Sequence, residues 1–110
     1  VDSYRYYFLR ECPFTSDGDY SEKRFVEVNN SELSNNLGNM LSRAITLITK
    51  NYESVLSGTS GIVPDSVAEN LNLAELVQTV RGHVEGCRYN LALQTIVQDL
   101  LTPTNQYLET

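Results

Sequence analysis

From Ser21 to Gly58 apolar side chains recur every three or four residues, and that spacing restricts the fold more than any other feature of the chain. Phe25, Leu33, Leu37, Leu41, Ala44 and Ile48, with Asn29 in the same register, form a stripe that Met40, Ile45, Leu47, Val55 and Leu56 widen. Such a period belongs to a helix with one apolar side, whereas a strand requires alternation. Ser21 is placed to accept from the free N–H groups of the first turn, and Glu22 suits the positive end of the helix dipole. The polar run Asn29-Asn30-Ser31 leaves two arrangements open: one helix of about ten turns, or two helices meeting at a kink. Gly58 is the expected stop, and Thr59 to Pro64, with Gly61, the loop after it.

The rest of the chain repeats this pattern. Tyr4, Tyr7 and Phe8 predict a short amphipathic helix from Asp2, the expected cap, to about Glu11, closed by Cys12-Pro13 because proline lacks an N–H and disfavours a helical residue before it. Phe14 to Tyr20 carries turn residues. A further helix is expected from about Asn72 to Glu85, with Leu73, Leu76, Val77, Val80 and Val84 inward, Asn72 and Glu75 spaced as a capping box, and Gly86 as the stop. The last begins near Asn90, its stripe formed by Leu93, Ile96, Val97, Leu100 and Leu101, and Pro103 is expected to kink or split it. No strand alternation, internal repeat or low-complexity tract competes. The expected fold is all-α, an antiparallel helical bundle.

Composition then excludes whole classes of function. The chain has 110 residues, the size of one domain, and 41% hydrophobic with 20% charged residues is not a disordered composition. No apolar run reaches the ~20 residues of a membrane helix, so no membrane partner is expected. Fourteen acidic and eight basic residues leave a net charge of −6, which repels a polyanion at long range; any RNA contact must be local, and DNA is not an expected partner. Cys12 and Cys87 match neither a disulfide scaffold nor a zinc pattern, so free thiols in a reducing compartment are expected. The opening VDSYRYYFLR has no signal-peptide order and reads as the interior of a longer chain.

No catalytic constellation emerges. The single histidine, His83, reads as a surface or satisfied residue, and Asp17-Gly18-Asp19 as a tight turn lacking the other ligands of a calcium loop. No metal site and no catalytic residue is expected. The informative stretch is Asn35-Asn36-Leu37-Gly38-Asn39-Met40-Leu41-Ser42-Arg43. Helical geometry puts Asn39 and Arg43 on one face, with Asn35 and Asn36 one turn earlier. An amide that donates and accepts beside a planar guanidinium suits an unstacked base, and a solvated polar face would carry the same residues. Gly38, which costs about 0.8–1.0 kcal/mol against alanine inside a helix, has a use if a backbone or a nucleotide comes close there.

Asp2, Arg5-Tyr6-Tyr7, Leu9-Arg10-Glu11, Pro13-Phe14, Asp17-Gly18-Asp19, Phe25, Asn30-Ser31-Glu32-Leu33, Asn36-Leu37-Gly38-Asn39 and Arg43 together resemble the segment after the catalytic domain in the methionyl-tRNA synthetase family. Tyr89-Asn90-Leu91-Ala92-Leu93, Ile96 and Asn105-Gln106-Tyr107 are similar to the last helix of the same domain. The resemblance implies the helical anticodon-binding domain of a class I aminoacyl-tRNA synthetase, with the CAU anticodon of methionine tRNAs as ligand and Asn39 and Arg43 as its tRNA-binding residues. Residues 1–20 would then be the remnant of the connection to the catalytic domain, and 21–110 the bundle, truncated at its C-terminal end. The partners implied are the anticodon loop and the catalytic domain of the same chain, in the cytoplasm. That domain uses ATP with magnesium; its HIGH-like and KMSKS-like motifs do not occur here, so these 110 residues need no cofactor and are expected not to catalyse. Alternatives are a free-standing helical adaptor or RNA-binding module, or the anticodon domain of another class I synthetase.

Overall fold

The computed structural model describes residues 1–53, 65 and 71–109, and all regular structure among them is helical. The expected stop at Gly58, the loop after it, and the stripe residues Val55 and Leu56 lie outside the described residues. Helix α1 spans Asp2–Glu11; Cys12 is extended before Pro13, as the residue ahead of a proline prefers. Val1, not Asp2, occupies the N-cap; Asp2 sits within the first turn and pairs with Arg5.

The long pattern forms one uninterrupted helical rod, resolving the choice left by Asn29-Asn30-Ser31. It comprises α2 (Glu22–Val28), a stretch of wide π-type turns (Asn29–Gly38) and α3 (Asn39–Tyr52). Ser21 Oγ accepts from the Arg24 amide at 3.3 Å, as its capping role requires. In the π-type stretch each turn closes over five residues. A Cβ on Gly38 would lie 3.3 Å from the Leu33 carbonyl, so the close approach expected there comes from the helix itself. The rod ends at Tyr52, with Glu53 left-handed at φ 49°, earlier than the expected glycine.

Helix α4 (Leu73–Glu85) turns at Gly86 into a second rod. That rod is α5 (Tyr89–Thr95), a second π-type stretch (Ile96–Leu101) and α6 (Thr102–Glu109). Pro103 does not split it. The π-type turns hand the backbone bonding across to α6, and the hydroxyls of Thr102 and Thr104 donate to the Val97 and Leu100 carbonyls at 2.9 and 2.6 Å. Beside Gly86 lies the exposed Arg88 guanidinium, whose Nη2 donates to the Gly82 carbonyl at 3.1 Å. The residue with positive φ at this corner is Cys87 (56°).

Helices α4 and α5 are antiparallel neighbours, but the two rods lie side by side in the same direction, because Asn36 meets Thr102 while Arg43 meets Glu109. The α4 pass between them returns the chain. Among the described residues Tyr7, Val28, Ala92 and Leu101 are the buried apolar ones, one each from α1, α2, α5 and the second π-type stretch. Three residues expected inward are not: Leu73 and Val77 are 55% and 52% exposed, and Val84 is exposed too. Periodicity records that a helix is one-sided, not that a neighbour covers the side; here Leu76, Val77, Val80 and Val84 with Ile96 and Leu100 wall an open groove of about 530 Å³.

Helix α1 is tied to the first rod through charge as well as rings. Arg10 grips Glu32 with both arms, Nη2 to Oε1 at 3.1 Å and Nε to Oε2 at 3.2 Å, and the Tyr6 hydroxyl donates to the same carboxylate. Burial, and then the bond to Glu32, holds the Tyr6 phenol well above the usual tyrosine range. The neutral phenol is the form the fold favours, so its contribution is complete below about pH 10 and is lost as pH rises above that, where the unfolded chain releases the proton first. Urea unfolding of wild type and Tyr6→Phe between pH 8 and pH 11 is therefore expected to show a steeper alkaline loss for wild type. Parallel pH curves would contradict this.

Candidate nucleic-acid interface

Where the two rods run together, Ser31, Asn35, Asn36, Asn39 and Arg43 face Thr102, Asn105, Gln106 and Glu109 across an open cavity of about 310 Å³. Every lining side chain carries a polar group. The five-residue turns bring Asn35 and Asn36 onto the same wall as Asn39 and Arg43, as the sequence reading expected.

Asn39 is exposed, and its amide has no side-chain partner among the described residues. Arg43 is different. Its side chain is 36% exposed, and both ends of its fork are engaged: Nη1 donates to Asn105 Oδ1 at 3.1 Å, and Nη2 pairs with Glu109 Oε1 at 2.8 Å. The two residues expected on one face are both found there, the Asn39 amide exposed and the Arg43 guanidinium resting against the second rod. Asn36 is half-buried and turned toward the second rod, where it donates to Thr102 Oγ1 at 3.0 Å and accepts from Asn105 Nδ2 at 2.7 Å. Asn105 and Glu109 were missed as members of this face. Asn105 belongs to the Asn105-Gln106-Tyr107 run that the resemblance singles out, but nothing local to it reveals a partner in the first rod.

Chemically the cavity offers an unpaired amide, a guanidinium held at an angle, and further amides and hydroxyls. It can match donors and acceptors on a planar polar edge, and an incoming anion must compete with Glu109 for the guanidinium. The other polar features stand apart from it. His83 Nδ1 accepts from Arg88 Nε at 3.4 Å, and Gly18 allows the close approach of Cys12, whose sulfur would lie 2.7 Å from a Cβ at that position. Among the described residues no group of three His, Cys, Asp or Glu side chains could hold a metal ion, and no helix is long and apolar enough to cross a membrane.

The family model described as tRNA synthetases class I (M) matches residues 1–45. Three relatives share the chain's sequence over most of its length. The chain is 37% identical over 97 residues, 88% of its length, to the chloroplastic/mitochondrial methionine–tRNA ligase of Arabidopsis thaliana. It is 36% identical over 115 aligned positions, 99% of its length, to the methionine–tRNA ligase of Bacillus subtilis. The chain is homologous to part of the methionine–tRNA ligases. The enzyme of Caldanaerobacter subterraneus is 37% identical over 111 positions. The chain spans 16% of the length of the first two relatives and 17% of the third. The family-model match takes in α1, α2, the first π-type stretch and the first half of α3, and so includes Asn39 and Arg43.

Proposed function

We propose that this chain is the anticodon-binding bundle of a methionine–tRNA ligase and that the face between its two rods reads the CAU anticodon of methionine tRNAs. The observation that carries the reading is the juxtaposition of an unpartnered amide, Asn39, with the oriented guanidinium of Arg43 at the rim of an all-polar cavity, in a chain homologous to these ligases. The Asn39 amide would donate and accept on one base edge. The Arg43 fork would stack on a base or bond it through two parallel N–H groups. With a net charge of −6 the chain cannot hold RNA by its overall field, so recognition rests on these local contacts. In the whole protein a catalytic domain elsewhere in the chain would bind methionine and ATP with magnesium and carry out the charging, in the cytoplasm. These 110 residues would supply recognition and no catalysis.

The test is binding of a short anticodon stem-loop RNA to the full-length protein, read by fluorescence anisotropy. A CAU loop is expected to bind tighter than loops with one anticodon base changed, by about 5- to 150-fold for each base read, the range of a good base contact. Equal binding of all loops would overturn the reading. Preference for another triplet would assign the bundle to a different synthetase, and a protein-only partner would point to an adaptor.

A further inference from the structure

We infer that Asn36, Asn105 and Thr102 are positioning residues: a one-way relay of hydrogen bonds across the two rods that sets the angle of the Arg43 guanidinium. The functional meaning of the inference rests on the anticodon reading proposed above; its geometry does not.

The direction of the relay follows from counting protons. Thr102 has one hydroxyl hydrogen, and it goes to the Val97 carbonyl at 2.9 Å, so toward Asn36 its oxygen can only accept. That orients the Asn36 amide, with Nδ2 donating to Thr102 Oγ1 at 3.0 Å and Oδ1 facing Asn105. Asn105 must then present its nitrogen, and Nδ2 donates both to Asn36 Oδ1 at 2.7 Å and to the Asn36 backbone carbonyl at 2.9 Å. Its oxygen is left for Arg43 Nη1 at 3.1 Å. Every group donates to the next, from the guanidinium to the Val97 carbonyl, and bonds aligned in this way polarise one another. The far end is anchored in the second π-type stretch, where the Thr102 backbone N–H also closes onto Val97. Glu109 holds the other arm of the fork through a charge pair with no comparable constraint on angle. The amides thus do the aiming, each accepting through its oxygen on the Arg43 side and donating through its nitrogen toward Thr102.

Two measurements test this, and they fail separately. In the RNA-free full-length protein, NMR exchange of the Arg43 guanidinium hydrogens reports rotation about Cζ–Nε. Asn36→Leu, which removes the amide without touching Arg43, is expected to speed that rotation by on the order of tenfold. Thr102→Val, which keeps the side-chain shape, should act in the same direction and keeps the question open to measurement if the leucine variant does not fold. In CAU stem-loop binding, Asn36→Leu should weaken affinity by on the order of tenfold in the wild type and by less than about twofold where Arg43 is already alanine. Unchanged rotation, or effects of the two substitutions that simply multiply, would overturn the relay. If Arg43→Ala leaves stem-loop binding untouched, the anticodon reading falls, and the rotation measurement still decides whether the amides aim the guanidinium.

Discussion

Replacing Arg43 by alanine is expected to lower the affinity for a CAU stem-loop by about 10- to 150-fold, the worth of a charge-assisted hydrogen bond of ~1.5–3 kcal/mol. The substitution removes the only cationic group that lines the cavity among the described residues and leaves Asn105 Oδ1 and Glu109 without their partner. Stability should barely change, since a half-exposed ion pair of this kind contributes at most about 1 kcal/mol. Arg43→Lys separates two components of the effect. Lysine keeps the charge but has no planar fork, so it is expected to recover only a small part of the loss. Full recovery by lysine would mean that RNA senses charge at this face and not geometry. Methionyl-adenylate formation by the full-length protein should be intact in both variants, and its loss would place Arg43 in a different role.

The largest effect on stability is expected at Tyr7. Its side chain is 2% exposed, the ring meets Phe8, Tyr20 and Phe25 edge-on at centroid distances of 5.4 to 5.7 Å, and its hydroxyl accepts from the Ser21 amide at 3.3 Å. Tyr7→Ala is expected to cost about 3–5 kcal/mol in urea unfolding, the range for removing a large buried ring. Tyr7→Phe keeps the ring and should cost only about 0.5–1.5 kcal/mol, the net value of one hydrogen bond. The comparison matters for organisation: the ring belongs to α1, and its neighbours Tyr20, Ser21 and Phe25 lie at the start of the first rod. A loss below about 1 kcal/mol for Tyr7→Ala would mean that α1 only lies against the bundle.

Much of the fold was legible because it is local. Ser21 announces the start of the first rod through its own hydroxyl, Cys12-Pro13 closes α1, and Gly86 stands at the end of α4. The two π-type stretches were not legible, since apolar residues three and four apart suit α-helical and wider turns alike. Pro103 was expected to interrupt its helix; instead the helix runs on through the π-type turns into Thr102–Glu109, with the Thr102 and Thr104 hydroxyls adding bonds to the Val97 and Leu100 carbonyls on either side of the ring. The outward turn of Leu73, Val77 and Val84 was equally hidden, because one-sidedness does not identify what lies opposite.

The candidate site divides along the same line. Four-residue spacing on a helix was enough to put Asn39 and Arg43 on one side, as the cavity lining has them. What the guanidinium rests on depends on residues more than 60 positions away, for Asn105 is 62 residues beyond Arg43 and 69 beyond Asn36.

Residue order alone determined that the regular structure of the described residues is helical and that an amide and a guanidinium share a face, since both follow from interactions within one turn of helix. Tertiary structure alone decided that the two rods run in the same direction and that Arg43 is held against Asn105 and Glu109. The physical reason is that register between distant helices is set by the packing and hydrogen bonding of whole surfaces, and no local pattern of residues encodes which surface will be met.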